Sequence, residues 1–233
     1  MSKDCTILVP MYNEEKRLPH FLPSLVAFVK KHPSYTLTLI NDGSKDDTLS
    51  IAKKLTQQLK GIYIISYTPN RGKGGAIREG ILHTQTPYVL FIDADGSIQP
   101  EEIPRMRESL NKYDVVVGDR YHPNSKLKRD PTRKIIGDLF NLLVWILFQY
   151  NIKDNLCGFK GFKRQAAHTL FRELKTTGWL FDVELFYRIR KKKYSLYKTP
   201  ISWEHQEGSK IKPLDPLKMF FQLLLLRIRL WLE

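Results

Sequence analysis

The first half of the chain alternates short apolar segments with longer amphipathic ones. Each short segment is rich in β-branched or aromatic residues and is bounded by turn-forming residues, which is typical of strands. Strands that alternate with helices predict right-handed βαβ units, and therefore an α/β fold with a mostly parallel, Rossmann-like sheet flanked by helices. The predicted strands are Thr6–Val9, Tyr35–Ile40, Ile62–Ser66, Tyr88–Ile92 and Val115–Gly118.

The longer segments carry apolar residues at helical spacing and predict four helices. An aspartate before the second of them can cap its first turn, and Pro100 suits the start of the fourth. The predicted helices are Leu18–Lys31, a helix capped by Asp46 or Asp47 that runs to Lys60, one that opens in N-R-G-K-G-G-A and runs to His83, and Glu101–Lys112.

Basic residues outnumber acidic ones along the chain. Its 38 Lys+Arg and 24 Asp+Glu give a formal net charge of +14, which favours anionic partners such as nucleic acid, phosphorylated metabolites or an acidic membrane surface. Cys5 and Cys157 alone supply neither a disulfide framework nor zinc spacing, so a reducing compartment is expected. The first apolar run is too short for a signal peptide or a membrane span, which predicts a chain in the cytosol or on its membrane face.

Polar residues follow four of the predicted strands. The motifs are M-Y-N-E-E, N-D-G-S, N-R-G-K-G-G and D-A-D-G-S. In open α/β sheets, ligands bind outside the carboxyl ends of the strands, so these motifs are expected to meet at one edge. Asp93 and Asp95 end a fully apolar strand there and can hold a hard cation such as Mg²⁺ together with substrate phosphates. The alternative is an ordinary Asp-Gly turn.

The other three motifs also allow two interpretations each. Gly72–Gly75, with Arg71 and Lys73, can present backbone amides and charge to a phosphate, although the P-loop spacing is absent and close packing explains the glycines equally well. The stretch Asn41–Ser44 is either a simple turn or a contact to a base or ribose. Tyr12 is either a stacking partner for a base or a half-buried loop aromatic.

The ordered set P-x-Y-N-E-E, N-D-G-S-K-D-D-T, N-R-G-K-G-G-A and D-A-D-G-S resembles the inverting nucleotide-sugar glycosyltransferases of family 2, which have the GT-A fold. The motifs D-N-L-C-G-F-K-G-F, G-W-L-F-D-V-E-L-F-Y and W-E-H-Q-E-G-S-K are similar to the polyprenyl-phosphate branch of that family. The resemblance covers nearly the whole chain. It implies inverting transfer of a hexose, glucose from UDP-glucose, to a polyprenyl (dolichyl) phosphate, with Mg²⁺ or Mn²⁺ as cofactor and no nucleic-acid partner.

Two alternatives to this functional hypothesis stay open. The same chemistry can use GDP-mannose or another sugar nucleotide, or the chain can be a non-catalytic basic module that binds anionic lipid or nucleic acid. An arginine that mannosyl enzymes carry shortly before the position of Lys210 is absent here, which favours the glucosyl branch. The resemblance also implies a catalytic domain over residues 1–200, including an apolar helix at 131–150, and an acceptor-side loop and interfacial helix over residues 201–233.

The resemblance also assigns site residues. Asp93 and Asp95 match the metal-binding pair, and Asp182 lies with Glu184 where many family members keep a catalytic base. Because a phosphate acceptor needs no base, we expect the Asp182 segment to orient the sugar or an arginine instead. Asn41 replaces one of two acidic residues common in the family, which leaves the base contact open. The implied nucleotide-sugar residues are Pro10, Tyr12, Asn13, Glu14, Asn41, Asp42, Arg71, Lys73, Asp93, Ala94, Asp95, Ser97 and Arg120.

A lipid monophosphate acceptor has a second pKa of about 6 and is mostly dianionic at neutral pH, so it is already a nucleophile and needs cations around it. The segment from Arg120 to Lys134 supplies them. Arg129 and Arg133 are four residues apart around a helix start at Pro131 and can face one phosphate together, and the resemblance adds Lys210. For Lys126 and Lys128, a solvated loop is the simpler interpretation.

Two apolar segments predict contact with a membrane surface. Leu139–Tyr150 and the stretch M-F-F-Q-L-L-L-L-R-I-R-L-W-L near the C-terminus are strongly apolar, but the first is too short to cross a bilayer. Aromatic residues and Arg227 and Arg229 at headgroup level indicate interfacial helices on the cytosolic face, in a peripheral or monotopic protein. Buried core helices or dimer helices are the alternative.

Overall fold

The computed structural model describes residues 2–128, 131–150, 154, 156–178, 180–204 and 215–232. For residues 127, 128, 131–138 and 215–219 only the backbone is described. The elements alternate as the sequence predicts, and the predicted strand Tyr88–Ile92 and helix Leu18–Lys31 have the predicted bounds. The strands are β1 Cys5–Met11, β2 Tyr35–Asp42, β3 Ile62–Tyr67, β4 Tyr88–Ile92, β5 Val115–Asp119, β6 Lys126–Lys128, β7 Phe159–Lys163, β8 Leu196–Pro200 and β9 Ser202–Glu204.

Seven of these strands form one mixed sheet in the order β3-β2-β1-β4-β7-β5-β8. All neighbouring pairs are parallel except those of β7, which runs antiparallel to both β4 and β5. The predicted mostly parallel α/β sheet is therefore confirmed. Strands β6 and β9 pair with each other in a small parallel ladder outside this sheet.

Helices cover both faces of the large sheet. The residues of β1 alternate, so that Ile7 and Val9 contribute to the core on the side of the first, second and fourth helices, and Leu8 contributes to the opposite core. The helices are α1 Leu18–Lys31, α2 Thr48–Thr56, α3 Lys73–His83, α4 Ile103–Ser109, α5 Pro131–Phe148, α6 Arg164–Glu173, α7 Phe181–Lys191 and α8 Asp215–Trp231, with a 3₁₀ turn at Pro100–Glu102.

Several predicted boundaries differ from the structure. The second helix ends at Thr56 and not at Lys60, since Gln57 is extended and Gln58 has a positive φ of 60°. The fourth is split into a 3₁₀ turn and a short α-helix. Strands β7 and β8 were not among the predicted strands. The sequence of β7, F-K-G-F-K, lacks the continuous apolar run that is typical of a central strand. One of its lysines, Lys160, is nevertheless buried in the core.

The apolar helices α5 and α8 pack against each other and against the α3–α7 side of the sheet. Val144 and Phe148 of α5 and Leu223, Leu226 and Leu230 of α8 are buried there. The core-helix alternative is thus correct for one face of each helix. Within the described part of the chain, no helix combines the length and apolarity needed to cross a bilayer.

The opposite faces of α5 and α8 are exposed and apolar. Among the described residues, nine of the eleven exposed large hydrophobic side chains lie on these two helices, Leu232 directly follows α8, and Tyr63 is the other. Such a concentration is unlike the scattered apolar residues of an ordinary protein surface. We call this set the apolar ridge: Leu139, Leu142, Trp145, Ile146, Phe220, Phe221, Leu225, Ile228, Trp231 and Leu232.

Candidate active site

The polar motifs meet where the strand order of the sheet reverses. Strand β1 lies between β2 and β4, so the chain proceeds outward from β1 in both directions, which makes the β1/β4 edge a topological switch point. In open α/β sheets, ligands bind at such a point, outside the carboxyl ends of the strands. Tyr12 directly follows β1 and Asp93 directly follows β4. The predicted site residues therefore start from neighbouring strands.

The loop after β1 is held to the loop after β2. Asn13 has a positive φ of 52°, its backbone N–H donates to Ser44 Oγ (3.0 Å) and its Oδ1 accepts from the backbone N–H of Lys45 (2.8 Å). The Glu14 backbone N–H donates to Thr48 Oγ1 (2.6 Å), and the Glu14 carboxylate pairs with Arg17 (2.7 Å). Pro10 and Tyr12 are partly exposed beside this loop.

Asp42 ends β2 and holds the glycine-rich loop. Its Oδ1 accepts from the backbone N–H of Arg71 (2.7 Å) and its Oδ2 accepts from Asn70 Nδ2 (2.8 Å). Burial raises the pKa of the Asp42 carboxyl, against the opposing effect of hydrogen bonds from the Arg71 and Gly72 backbone and from the Tyr67 side chain. Asn41 donates from Nδ2 to Ser66 Oγ (3.0 Å). Both predicted base contacts thus also shape the loops of the site.

The glycines of this loop are required for packing. At Gly72, which has a φ of +82°, a Cβ would lie 2.7 Å from the carbonyl oxygen of Thr177. At Gly74, a Cβ would lie 2.6 Å from Cβ of Phe181, and the Gly74 N–H donates to Thr177 O (2.8 Å). Close packing against Thr177 and the first residue of α7 therefore accounts for these glycines, and a phosphate contact stays a prediction. The Arg71 side chain lies over Tyr67 (4.2 Å) and pairs with Glu79 (3.0 Å).

Lys73 and Asp93 form an ion pair at the centre of the site. Lys73 is the first residue of α3, and its Nζ lies 2.6 Å from Oδ1 of Asp93. Burial alone would lower the pKa of Lys73, but the carboxylates of Asp93 and Asp182 raise it above its usual value. The Asp93 side chain remains 34% exposed. It can therefore be reached by a ligand.

Asp95 lies on the turn that follows Asp93. Its Oδ1 accepts from the backbone N–H of Ser97 (2.9 Å), and Gly96 has the positive φ (75°) that this turn requires. Ala94 and Ser97, in the same segment, are buried. The Asp-Gly turn and the carboxylate pair were alternatives in the sequence. The structure forms the turn and also keeps both aspartates at the strand end.

A buried ion pair lies close to this cluster. Lys160 on β7 is completely buried. Its Nζ lies 2.8 Å from Asp182 Oδ1 and donates a hydrogen bond to the carbonyl oxygen of Cys157 (2.5 Å). Asp182, on the first turn of α7, is also buried. Burial raises the pKa of Asp182, and the charges of Lys160 and Lys73 act in the opposite direction.

Glu184 and Arg120 have strong internal partners. The Glu184 carboxylate is buried and accepts from the backbone N–H of Thr176 (2.8 Å) and from Arg188 Nε (2.8 Å). Arg120 pairs with Asp154, with 2.7 Å between Nη2 and Oδ1, and the Arg120 backbone N–H donates to Oδ2 of the same carboxylate (2.7 Å). Burial alone would lower the pKa of Arg120, but Asp154 raises it well above its usual value. In the segment where many family members carry a base, and where we expect an orienting role instead, Glu184 contacts Arg188 and Asp182 contacts Lys160.

Sequence reasoning assigned no site role to three residues of the motif D-N-L-C-G-F-K-G-F: Asp154, Gly158 and Lys160. The motif contributes to the family resemblance, but the sequence gives no signal of the partners of these three residues. Gly158 lies against the Asp93 carboxylate, Asp154 binds Arg120 and Lys160 binds Asp182. The predicted acceptor residues Arg129 and Lys210 lie outside the described residues. Arg133 lies in α5, where the structure describes only its backbone.

The carboxylates after β4 fit a divalent cation that shares a diphosphate. Among the described residues, no group of three or more His, Cys, Asp or Glu side chains could form a metal site by itself. Mg²⁺ is commonly held by only one or two carboxylates together with substrate phosphates. Asp93 and Asp95 provide that number, at an accessible strand end.

Comparison with known proteins finds sequence relatives over nearly the whole chain. Residues 6–171 match the sequence model of Glycosyl transferase family 2. The chain is 34% identical over 98% of its length to human dolichyl-phosphate beta-glucosyltransferase, covering 76% of that protein. It is also 34% identical over 96% of its length to the dolichyl-phosphate beta-glucosyltransferase of Saccharomyces cerevisiae, covering 74% of that protein.

Solved structures share the fold at low sequence identity. Glucosyl-3-phosphoglycerate synthase from Mycobacterium tuberculosis, in complex with Mn²⁺, UDP and glucosyl-3-phosphoglycerate, aligns with a TM-score of 0.66 at 18% identity, over 97% of this chain and 80% of the other. The complex of the same synthase with Mg²⁺ and UDP aligns with a TM-score of 0.66 at 17% identity, over 97% and 79%. The predicted Rossmann-like GT-A fold is confirmed.

Proposed function

The chain belongs to glycosyl transferase family 2, and on this basis we propose that it transfers glucose from UDP-glucose to dolichyl phosphate, with inversion at the anomeric carbon. The observation that carries the proposal is the cluster at the end of β4, where Asp93 is paired with Lys73 at 2.6 Å and is followed by Asp95. Near full-length similarity to dolichyl-phosphate beta-glucosyltransferases supports the choice of sugar and acceptor.

The donor nucleotide is proposed to lie across the loops after β1 and β2. Tyr12 and Pro10 are partly exposed there, and Asn13, Glu14, Asn41 and Asp42 form the hydrogen bonds that shape this surface. UDP is present in solved structures with the same fold, which supports a uridine nucleotide in this position.

The diphosphate is proposed to lie at the end of β4. Asp93 and Asp95 would hold Mg²⁺ or Mn²⁺, which when bound would act as a Lewis acid on the leaving diphosphate. Lys73 would add a positive charge on the same side, and Ala94 and Ser97 would contribute backbone or hydroxyl contacts. Arg120, held by Asp154, would present its charge nearby.

The transfer itself needs no general base. An oxygen of the acceptor phosphate, already an anion at neutral pH, forms the new bond to the anomeric carbon. The bond from that carbon to the β-phosphate oxygen breaks at the same time, and UDP leaves with the electron pair. Asp182 is buried and paired with Lys160, which supports a role other than accepting a proton from the acceptor.

The acceptor is proposed to be reached at a membrane surface. The apolar ridge of α5 and α8 would lie in the interface of the cytosolic leaflet, with Trp145 and Trp231 at headgroup level. Arg227 and Arg229 lie on α8 beside the ridge, and the net charge of +14 favours an anionic leaflet. Arg129, Arg133 and Lys210 remain the proposed contacts to the acceptor phosphate.

The test is a transfer assay with labelled sugar nucleotides and dolichyl phosphate in detergent or vesicles. UDP-glucose, UDP-galactose and GDP-mannose are compared with the wild-type protein, and dolichol without phosphate is the acceptor control. We expect labelled glycolipid from UDP-glucose and dolichyl phosphate alone. Transfer from GDP-mannose in place of UDP-glucose would establish the alternative donor, and transfer from none would overturn the proposal.

A further inference from the structure

The buried pair of Lys160 and Asp182 is costly for a protein core. Both side chains are almost completely removed from solvent, and Lys160 lies between the rings of Phe91 (5.6 Å) and Phe186 (5.4 Å). Taking two charges out of water carries a large desolvation penalty, and replacing a buried ion pair by well-packed apolar side chains of similar volume often leaves a protein as stable or more stable. Stability of the core alone therefore gives little reason for this pair.

The pair is adjacent to the charged centre of the active site. Gly74, next to Lys73, packs against Phe181, next to Asp182, so closely that a Cβ at Gly74 would lie 2.6 Å from Cβ and 2.7 Å from Cγ of Phe181. The Gly74 N–H also donates to Thr177 O (2.8 Å). The start of α3 is thus fixed against the start of α7. Lys73 and Asp182 are thus the immediate chain neighbours of two residues in direct contact.

Four side chains of alternating charge consequently lie in sequence from the core to the surface of the site: Lys160, Asp182, Lys73 and Asp93. Lys160 pairs with Asp182 at 2.8 Å, and Lys73 pairs with Asp93 at 2.6 Å. Lys73 therefore has two carboxylates near it, one exposed and one buried. When a cation and a diphosphate engage Asp93, the buried carboxylate still provides Lys73 with a counter-charge.

We propose that Lys160 and Asp182 are positioning residues, which act through Lys73 to hold its ammonium group against the diphosphate of the bound nucleotide. The inference rests on the proposed donor site at the end of β4. It assigns to Asp182 an electrostatic role in donor binding, in place of proton transfer from the acceptor. Lys160 holds Asp182 in position from the opposite side, and neither residue contacts the substrate.

The test separates positioning from core stability by comparing four variants. These are Asp182→Asn, Lys73→Met, the apolar double variant Lys160→Met/Asp182→Leu, and the triple variant that adds Lys73→Met to it. Asp114→Asn is the matched control, because Asp114 pairs with Lys163 on the same strand as Lys160 (3.1 Å) but away from Lys73. Urea unfolding reports stability, and calorimetric titration with UDP in the presence of Mn²⁺ reports nucleotide binding.

We expect Asp182→Asn to be destabilised, since it leaves Lys160 without its carboxylate partner. The apolar double variant should recover wild-type stability but bind UDP about tenfold or more weakly, the loss typical when a supporting partner of a ligand-binding group is removed. Adding Lys73→Met to the double variant should weaken UDP binding little further, because coupled residues are not additive. The Asp114→Asn control should bind UDP like the wild type.

Two results would overturn the inference. One is a stable double variant that binds UDP as tightly as the wild type, which would make the pair a core feature only. The other is full additivity of Lys73→Met in the triple variant. Because nucleotide binding is the readout, these results are independent of which sugar and acceptor the enzyme uses. Failure of the proposed function would instead appear as a wild-type protein that binds UDP but transfers no glucose to dolichyl phosphate.

Discussion

Gly158 lies directly against the carboxylate of Asp93. A Cβ built at Gly158 would stand 1.8 Å from Oδ2 and 2.2 Å from Cγ of Asp93, far inside any permitted contact. Gly158 precedes β7, the antiparallel strand that pairs with β4. The absence of a side chain at this position therefore allows Asp93 to occupy its place beside Lys73.

Gly158→Ala should abolish most of the transfer activity. The added methyl group must displace the Asp93 side chain, and a misplacement of about 1 Å in a reacting group can cost about 100-fold in rate. Gly178→Ala is the control, since a Cβ there meets nothing within 4 Å. The assay is the rate of transfer at saturating UDP-glucose. Wild-type activity of Gly158→Ala would show that the position of Asp93 is not critical.

Lys73→Met should change cation binding and nucleotide binding in opposite directions. Without nucleotide, the ammonium group of Lys73 lies 2.6 Å from Asp93 Oδ1 and competes with any cation for that oxygen. Its removal should tighten the binding of Mn²⁺ alone and weaken the binding of UDP. Titration of the variant with each ligand separately measures both effects. A variant that binds Mn²⁺ no better than the wild type would contradict the competition.

Leu225→Glu and Ile228→Glu should release the protein from vesicles that contain anionic lipid. Both side chains lie on the apolar ridge, 66% and 57% exposed. Burial of such a side chain in an apolar phase is worth about 1.5–3 kcal/mol, so each substitution should lower vesicle binding about tenfold or more. Flotation or co-sedimentation measures the bound fraction. Tyr63→Glu introduces the same charge at the exposed hydrophobic residue outside the ridge and should leave vesicle binding unchanged. An equal loss of binding for all three variants would contradict membrane contact through the apolar ridge.

Asp46→Asn should reduce stability at neutral pH and flatten its dependence on acid. Asp46 Oδ1 accepts from Thr48 Oγ1 (2.6 Å) and Oδ2 accepts from the Glu15 N–H (3.2 Å). Burial alone would raise the pKa of Asp46, but these hydrogen bonds hold it below its usual value. The stabilisation is therefore present above the unfolded-state pKa of about 3.9 and is lost as the pH falls through the lower folded-state pKa.

The expected loss for Asp46→Asn is about 1 kcal/mol at pH 7, the net contribution of a typical hydrogen bond. Urea unfolding at pH 7 and at pH values below 4 measures it, and the difference between variant and wild type should shrink in acid. Asp47→Asn removes the same charge from the neighbouring residue, which forms no side-chain hydrogen bond to cap α2. A difference that is the same at every pH would contradict the assigned role of Asp46.

The local sequence determines the elements and strand ends well, because their signals lie within a few residues. The apolar run Tyr88–Ile92, followed by Asp93 and Asp95, could be predicted as a buried strand with carboxylates at its end. The closeness of Lys73 and Asp93 could be predicted only in outline, from the rule that strand ends share one edge. Their direct ion pair depends on the packing of α3 against α7, which local periodicity does not encode.

The contribution of the motif D-N-L-C-G-F-K-G-F to the site can be identified only from the tertiary structure. Lysine is usually a surface residue, so the sequence does not predict that Lys160 is buried. Its burial depends on the pairing with Asp182, which is 22 positions away along the chain. Likewise, the role of Gly158 depends on its contact with Asp93, and the role of Asp154 depends on its ion pair with Arg120. Antiparallel insertion of β7 between β4 and β5 brings these partners together, and neither strand alternation nor hydrophobic spacing indicates that insertion.

The proposed cation site at Asp93 and Asp95 is tested by the affinity for UDP-glucose with and without Mn²⁺, in the wild type and in Asp95→Asn. If the strand-end carboxylates hold a cation on the donor diphosphate, Mn²⁺ should strengthen binding to the wild type by about tenfold or more and should have little effect on the variant. Thermal unfolding of both proteins confirms that the substitution leaves the fold intact. Equal affinity with and without Mn²⁺ in the wild type, or the same gain in Asp95→Asn, would contradict a cation held by Asp93 and Asp95 on the donor diphosphate.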